Sequence, residues 1–287
     1  MCNKLYLSFA FQNNPQEYLL PIYKAISFNK VITKGGRTEP WVILVNAENS
    51  IRPYVVKIFK TDLINIRDSV ANEVLGNILA KEFNLPVSNA ALIDLSDDFI
   101  NTIKDPKLLG ILENNDLRLK FGSELKDGFF NFDYTAYTLS EVRKIIDIDN
   151  VFAFDNLIRN RDRNGQLKPN ILIKSSEAFL IDHELGFEEI SLDIIEGLKE
   201  YKLDRRFCVY HIFYTFLKQS PIKIKKEYFN EFEEYLRRLD VNVLIPYFKQ
   251  LADVGFSTKN HSLIADYLGG MKQNSVRFAE NLKAVIQ

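Results

Sequence analysis

Cysteine and histidine are scarce in this 287-residue chain, and their scarcity excludes several kinds of chemistry. The two cysteines, Cys2 and Cys208, stand far apart, and neither belongs to a Cys-x-x-Cys pair. A disulfide framework and a zinc site are therefore not expected, and both residues read as reduced thiols. With three histidines in all, a multi-histidine metal centre is not expected either. Net charge is nearly absent, at −1, so nothing in bulk electrostatics would draw the chain to nucleic acid or to an anionic membrane. No apolar run approaches the roughly 18 residues of a membrane span. The first residues, MCNKLYLSFAF, lack the long apolar stretch and small-residue cleavage site of a signal peptide. Internal repeats and low-complexity tracts are missing too. The expected setting is cytoplasmic, with no membrane and no direct nucleic-acid partner.

What is present is an ordinary globular composition, 46% hydrophobic and 26% charged, with 22 Phe and 13 Tyr to build an aromatic core. The length suits one large domain or two lobes. From Tyr23 a β pattern predicts strands over 26–33, 41–45 and 54–59, joined by polar turns as an antiparallel meander. A helix is predicted over 68–83, with Val70, Val74, Leu75, Ile78 and Leu79 on one face and Pro86 beyond its end. Further strands are expected over 87–95 and 117–121, with short helices over 96–103 and 107–113 between them. Gly122–Ser123 would mark the crossing between lobes. The aromatic stretch 129–137 reads as irregular, and helices are expected from 140 and over 149–158. Beyond Phe187 the pattern is helical: 191–199, 205–217, 225–239, 242–251 and 263–285. His211 falls in one of these apolar helices, as a satisfied core residue.

The stretch 154–187 carries most of the chemistry. It places Asp155, Asp162, Asn170, Asp182 and His183 among short apolar runs. The runs 170–173 and 178–181 read as a β-hairpin with Asn170 at the mouth of one strand and Asp182 at the end of the other. Acidic and amide oxygens converging there can hold Mg²⁺ and orient a hydroxyl, as phosphoryl transfer from ATP requires. Upstream, Gly35 and Gly36 would let backbone N–H groups approach a phosphate, although a plain hairpin turn explains them as well. Lys57 is either an exposed strand residue or an ammonium directed at nucleotide phosphates. Glu73 follows it by 16 residues on a helix, the arrangement of the ion pair in a kinase small lobe. A cap, a turn or a solvated face accounts for any one of these residues. It does not account for Lys57, Glu73, Asp162, Asn170 and Asp182 in this order, because several independent spacings must then coincide.

Arg161-Asp162-Arg163, the later Asn170-Ile171-Leu172 and Leu180-Ile181-Asp182-His183 together resemble the signature of HipA-like kinases, most closely the compact stand-alone branch. Phosphatidylinositol kinases carry a more distant version of the pattern. The likeness runs over roughly residues 24 to 190 and takes in Gly35-Gly36-Arg37-Thr38, Tyr54-Val55-Val56-Lys57, Asn72-Glu73 and Phe121-Gly122-Ser123. It implies that Asp162 is the catalytic base, that Asn170 and Asp182 are Mg²⁺ ligands, and that Lys57, paired with Glu73, is the phosphate-binding lysine. It also implies that Gly35, Gly36, Arg37 and Thr38 cover the nucleotide phosphates, with Thr38 the nearest candidate for loop autophosphorylation. Two departures stand out. Kinase catalytic loops place about four residues between base and metal-binding Asn; here residues 163–169 make seven, and Asn164 becomes a competing ligand. Asn164 also replaces the His that often follows Asp-Arg in the family.

The resulting expectation is an α+β, two-lobed protein-kinase-like fold. An antiparallel-sheet N-lobe would span 1–121 and a mostly helical C-lobe 122–287. Its function would be ATP- and Mg²⁺-dependent phosphorylation of a hydroxyl on a protein Ser or Thr, with an antitoxin or regulatory protein as a further partner. The runner-up is a nucleotide-binding pseudokinase acting as a regulatory module. A metal-dependent hydrolase using Asp162, Asp182 and His183 ranks third, since it leaves Lys57 and Glu73 without a purpose.

Overall fold

The computed structural model of the chain describes residues 20–33, 39–164, 169–200, 203–257 and 260–287. The expected phosphate-covering residues Gly35 to Thr38 lie outside the described residues, as does Cys2.

Five strands close into a barrel in the order β1-β2-β3-β5-β4: β1 (Ile22–Val31), β2 (Trp41–Ala47), β3 (Ser50–Val56), β4 (Ala90–Asp94) and β5 (Lys120–Glu124). The turn from β2 to β3 is short because Glu48 and Asn49 both take left-handed φ, 48° and 67°, matching the twist of a tight hairpin. Two register shifts in the β1–β2 ladder, at Ala25/Ser27 and Phe28/Lys30, bend β1 around the barrel. The first three strands form the expected antiparallel meander, but the sheet as a whole is not purely antiparallel. Ile22–Lys24 pairs in parallel with Leu92–Asp94 and closes the barrel. The long helical excursion between β3 and β4 makes this possible, since a parallel pair needs a crossover rather than a tight turn. Trp41, Ile43, Val45, Tyr54, Val56, Ala91 and Ile93 fill the interior. The expected lobe junction, between residues 121 and 122, falls inside β5.

The excursion holds α1 (Thr61–Arg67), which the sequence pattern did not announce, and α2 (Ser69–Glu82). Asp68, with φ 53°, separates them. The side chains from Ser69 to Ala80 are all buried, so α2 is enclosed rather than amphipathic. Besides its apolar face it buries Asn72, Glu73, Gly76 and Asn77, and this second stripe serves the site described below. After β4, α3 (Asp97–Thr102) and α4 (Pro106–Glu113) cover one end of the barrel through Phe99 and Leu112.

A second sheet of order β6-β7-β8 follows: β6 (Phe130–Asn131), β7 (Ile171–Lys174) and β8 (Glu177–Leu180). The expected hairpin is therefore present, joined by a third short strand from the aromatic stretch. Between β6 and β7 lie α5 (Leu139–Ile145), opened by a Thr138–Glu141 capping box, and α6 (Ile148–Leu157), which is buried almost throughout. The remainder is helical: α7 (Leu192–Glu196), α8 (Arg205–Val209), α9 (Tyr214–Gln219), α10 (Ile222–Lys225), α11 (Asn230–Arg238), α12 (Ile245–Asp253), α13 (His261–Gln273) and α14 (Ser275–Ile286). Two long helices expected from the sequence are broken. The 205–217 helix is interrupted around His211, where Ile212 N–H donates to Arg163 O (3.0 Å). The 263–285 helix is interrupted at Asn274. Among the described residues no helix is long and apolar enough to cross a membrane.

Candidate active site

Lys57 lies one residue past the end of β3 rather than within it. Its N–H still donates to Phe121 O on β5 (3.1 Å), so the backbone stays in barrel register while the side chain turns inward. Its Nζ donates to Glu73 Oε1, to Asp182 Oδ1 (2.6 Å) and to Glu184 Oε2 (3.2 Å). Burial alone would lower the Lys57 ammonium. The carboxylates of Asp182, Glu73 and Glu184 outweigh that effect and hold it well above its usual value. Glu73 sits on the enclosed face of α2 with 1% exposure, and its other oxygen accepts the His183 N–H (3.0 Å). Burial drives its carboxyl up to about 7, against the pull of Lys57. The preceding residue, Asn72, donates through Nδ2 to Glu184 O (3.1 Å). Helix α2 thus grips the segment from Asp182 to Glu184 by its backbone and faces it with the Lys57–Glu73 pair.

Asp162 and Asn170 meet despite the seven residues between them. Asn170 Nδ2 donates to Asp162 O and to Asp162 Oδ2, each at 3.2 Å. Asn170 and Asp182 both adopt left-handed φ, 50° and 64°, a conformation that Asn and Asp accept more readily than bulkier residues. Ile181 N–H donates to Asn170 O (3.0 Å), tying the two ends of the hairpin together. Arg163 organises the junction from below. Its side chain is closed to solvent and forks onto Asp155 through Nε (2.5 Å) and Nη2 (3.3 Å), while Nη1 donates to Asn170 O and Ile181 O.

The five-residue cluster expected at the hairpin therefore divides. Asp162, Asn170 and Asp182 stand together, but Asp155 and His183 serve the scaffold. Asp155 is fully buried. Burial would raise its carboxyl, but Arg163 and His211 hold it down at about 2. The His183 ring is enclosed between Gly76 and Phe154, and burial lowers it to about 3. His211 is a satisfied core residue, as expected, though it lies in a helix break. Asn164 is bridged there to His211 through the backbone.

Lys57, Glu73, Asn170 and Asp182 form the charged end of a cleft of about 470 Å³. Ile32, Val55 and Phe121 line its barrel side, and Leu172, Leu180 and Phe129 line the side of the small sheet. An apolar slot that ends in an ammonium, several carboxylates and an amide suits a flat ring joined to an anionic tail.

The family model for HipA-like kinases matches residues 28–246, more than half of the chain, and that span includes Lys57, Glu73, Asp162, Asn170 and Asp182. The chain belongs to the HipA-like kinase family. A solved structure of a Helicobacter pylori proinflammatory kinase, CtkA, is similar over 91% of this chain and 98% of that one, with 13% identity and a TM-score of 0.43, too distant a likeness to carry a structural argument. No curated protein matches the chain by sequence.

For a HipA-like kinase the donor set is informative. Carboxylate oxygens of Glu73, Asp182 and Glu184 lie within 4.8 Å of one another. With the side chains of Asn170 and Asp162 close by, the available ligands are all oxygen, the preference of Mg²⁺ rather than of zinc or copper. Three carboxylates around one ammonium also leave negative charge that a divalent cation would offset. Sequence reading overlooked Glu184. Its acidic side chain two residues after Asp182 was the only signal, and no strand period reaches it because the strand ends at Leu180. Arg163 entered that reading only as part of the Arg161-Asp162-Arg163 motif, without the scaffold role it has here.

Proposed function

We propose that this HipA-like kinase transfers the γ-phosphoryl group of ATP to a hydroxyl on a protein Ser or Thr, with Mg²⁺. The observation that carries this reading is that Lys57, Glu73, Asn170 and Asp182 line the charged end of one apolar slot, with Asp162 in contact with Asn170. The adenine ring would lie between Val55 and Leu172, and the phosphates would point toward Lys57. Lys57 would exchange its contacts with Asp182 and Glu184 for phosphate oxygens, while Glu73 keeps its ammonium in place. Asp182 and Asn170, with Glu184 beside them, would hold the metal. Bound Mg²⁺ supplies charge neutralisation to the phosphates. Asp162 would orient the acceptor hydroxyl and take its proton as the oxygen bonds to the γ-phosphorus and the bond to the β-phosphate oxygen breaks, releasing ADP. We read the barrel with α1 to α4 as the small lobe and the helical body as the large one.

The seven-residue loop is the feature that would favour a pseudokinase, and the Asn170–Asp162 contact argues against that role. Asp162→Ala should lose radiolabel transfer by a factor of about 10² or more, yet keep ATP-dependent thermal stabilisation. Transfer retained by the variant would remove Asp162 from the role of base. Binding of ATP by the wild-type protein without transfer to itself or to any acceptor would favour the pseudokinase.

A further inference from the structure

The segment that follows Asp182 is fastened back onto the Asp162 loop. Phe187 N–H donates to Ile158 O (2.7 Å). Two residues on, the Glu189 carboxylate meets three guanidinium groups: Arg161 Nη1 at 2.7 Å, Arg159 Nη2 at 3.2 Å and Arg206 Nη2 at 3.7 Å. Arg161 is the residue directly before Asp162. Arg159 occupies the turn after α6 with a left-handed φ of 57°, and its guanidinium lies over the Phe207 ring at 4.6 Å. Its side chain is only 9% exposed, so it cannot swing out into water. Arg206 comes from α8 and is itself braced by Asp204 (2.6 Å). The neighbouring Glu188 is approached by Arg67 (3.8 Å) and Arg161 (3.9 Å). Without Glu189, three positive side chains would face one another with only Asp204 and Glu188 to offset them.

In kinases ordered by phosphorylation, a new phosphate pairs with arginines beside the catalytic loop and holds the adjoining segment down. Here a carboxylate already occupies the centre of such an arginine cluster. We propose that Glu189 is a positioning residue, a permanent anionic latch that holds residues 183–189 against the Asp162 loop in the place a phosphate would take, in a segment that has no Ser, Thr or Tyr to phosphorylate. Arg161 carries the effect to the chemistry, since its backbone adjoins Asp162. The catalytic consequence rests on the kinase reading above; the ordering consequence does not.

Hydrogen exchange and phosphoryl transfer are measured on the full chain as wild type, Glu189→Ala, Glu189→Asp, Arg161→Ala and the Arg161→Ala/Glu189→Ala double variant. Glu189→Ala should speed exchange in peptides covering 158–164 and 183–189 and leave the barrel strands unchanged. It should lower kcat about ten-fold while KM for ATP stays within about two-fold. Glu189→Asp should restore most of the protection and of kcat. The double variant should lose less than the two single losses combined, because both remove the Arg161–Glu189 contact. Unchanged exchange in Glu189→Ala overturns the latch whatever the activity. Faster exchange throughout the chain also overturns it, since Glu189 would then be a general stabiliser. A wild-type protein that protects the segment but transfers no phosphate removes the kinase reading and leaves the latch to be decided by exchange alone.

Discussion

His211 Nε2 lies 2.9 Å from Asp155 Oδ2, and both side chains are closed to solvent. On the other side of the ring, Nδ1 accepts the Phe213 N–H (3.1 Å), so the proton sits on Nε2 and the imidazole is neutral. Burial keeps it so, depressing His211 below its ordinary value despite the Asp155 carboxylate. Asp155 thus has one full positive partner, Arg163, and one neutral donor. Through them a buried carboxylate on α6 fixes the loop that carries Asp162 and the strand end that carries Asn170.

This arrangement predicts a loss of stability in acid. Asp155 has its folded value at about 2, below the 3.8 of the free group. The unfolded chain therefore takes up this proton first as pH falls. The contribution is complete above about pH 4 and is lost as pH drops through about 2, with a size of order 2 kcal/mol. His211 acts with the same sign at higher pH, since the unfolded chain binds its proton first below 6.5. Urea unfolding of the wild type should show a midpoint that declines on acidification and steepens below pH 4. Asp155→Asn should begin about 3–5 kcal/mol less stable, because Arg163 is left buried without its partner, and should lack the steep acid limb. An acid limb identical in the two proteins would refute the assignment.

Gly76 faces His183 so closely that a Cβ there would lie 2.7 Å from the His183 Cγ and nearer still to its Cβ. The His183 Cβ moves only with its backbone, and that backbone carries Asp182 and Glu184. Gly76→Ala should therefore act as a site variant through the site-facing stripe of α2. We expect an overpacking cost of about 1–3 kcal/mol and a fall in kcat/KM for ATP of about ten-fold or more, read by thermal melts and initial rates. Wild-type kinetics in a folded Gly76→Ala protein would show that α2 does not control the placement of Asp182.

Cys208 should be inert. It has no exposed surface, its Sγ donates to Asn156 Oδ1 (3.1 Å), and burial pushes the thiol up to about 12. The thiolate is the reactive species, so a Cys2→Ser protein should show no labelling by an aromatic disulfide reagent until denaturant is added. Rapid labelling in the native protein would mean that α8 does not pack on α6 as described.

Much of the site is legible in the sequence because local spacing reports local structure. The Lys57–Glu73 separation, the hairpin with Asn170 and Asp182 at its mouth, and the helical character beyond Phe187 all follow from the period of each element and from turn chemistry. Other features depend on contacts between distant residues, which no spacing encodes. Lys57 and Asp182 are 125 residues apart, and only packing around α2 brings them within 2.6 Å. The same holds for the parallel β1–β4 closure, which needs the α1–α2 crossover, and for the second buried face of α2, hidden by an apolar stripe that read as its only one. Asp155 shows the difference most clearly. Its sequence neighbourhood made it a candidate ligand, but burial beside Arg163 made it the anchor of the loop. An ionisable group's role is set by what neutralises it once water is gone, and that is decided only when the chain has folded.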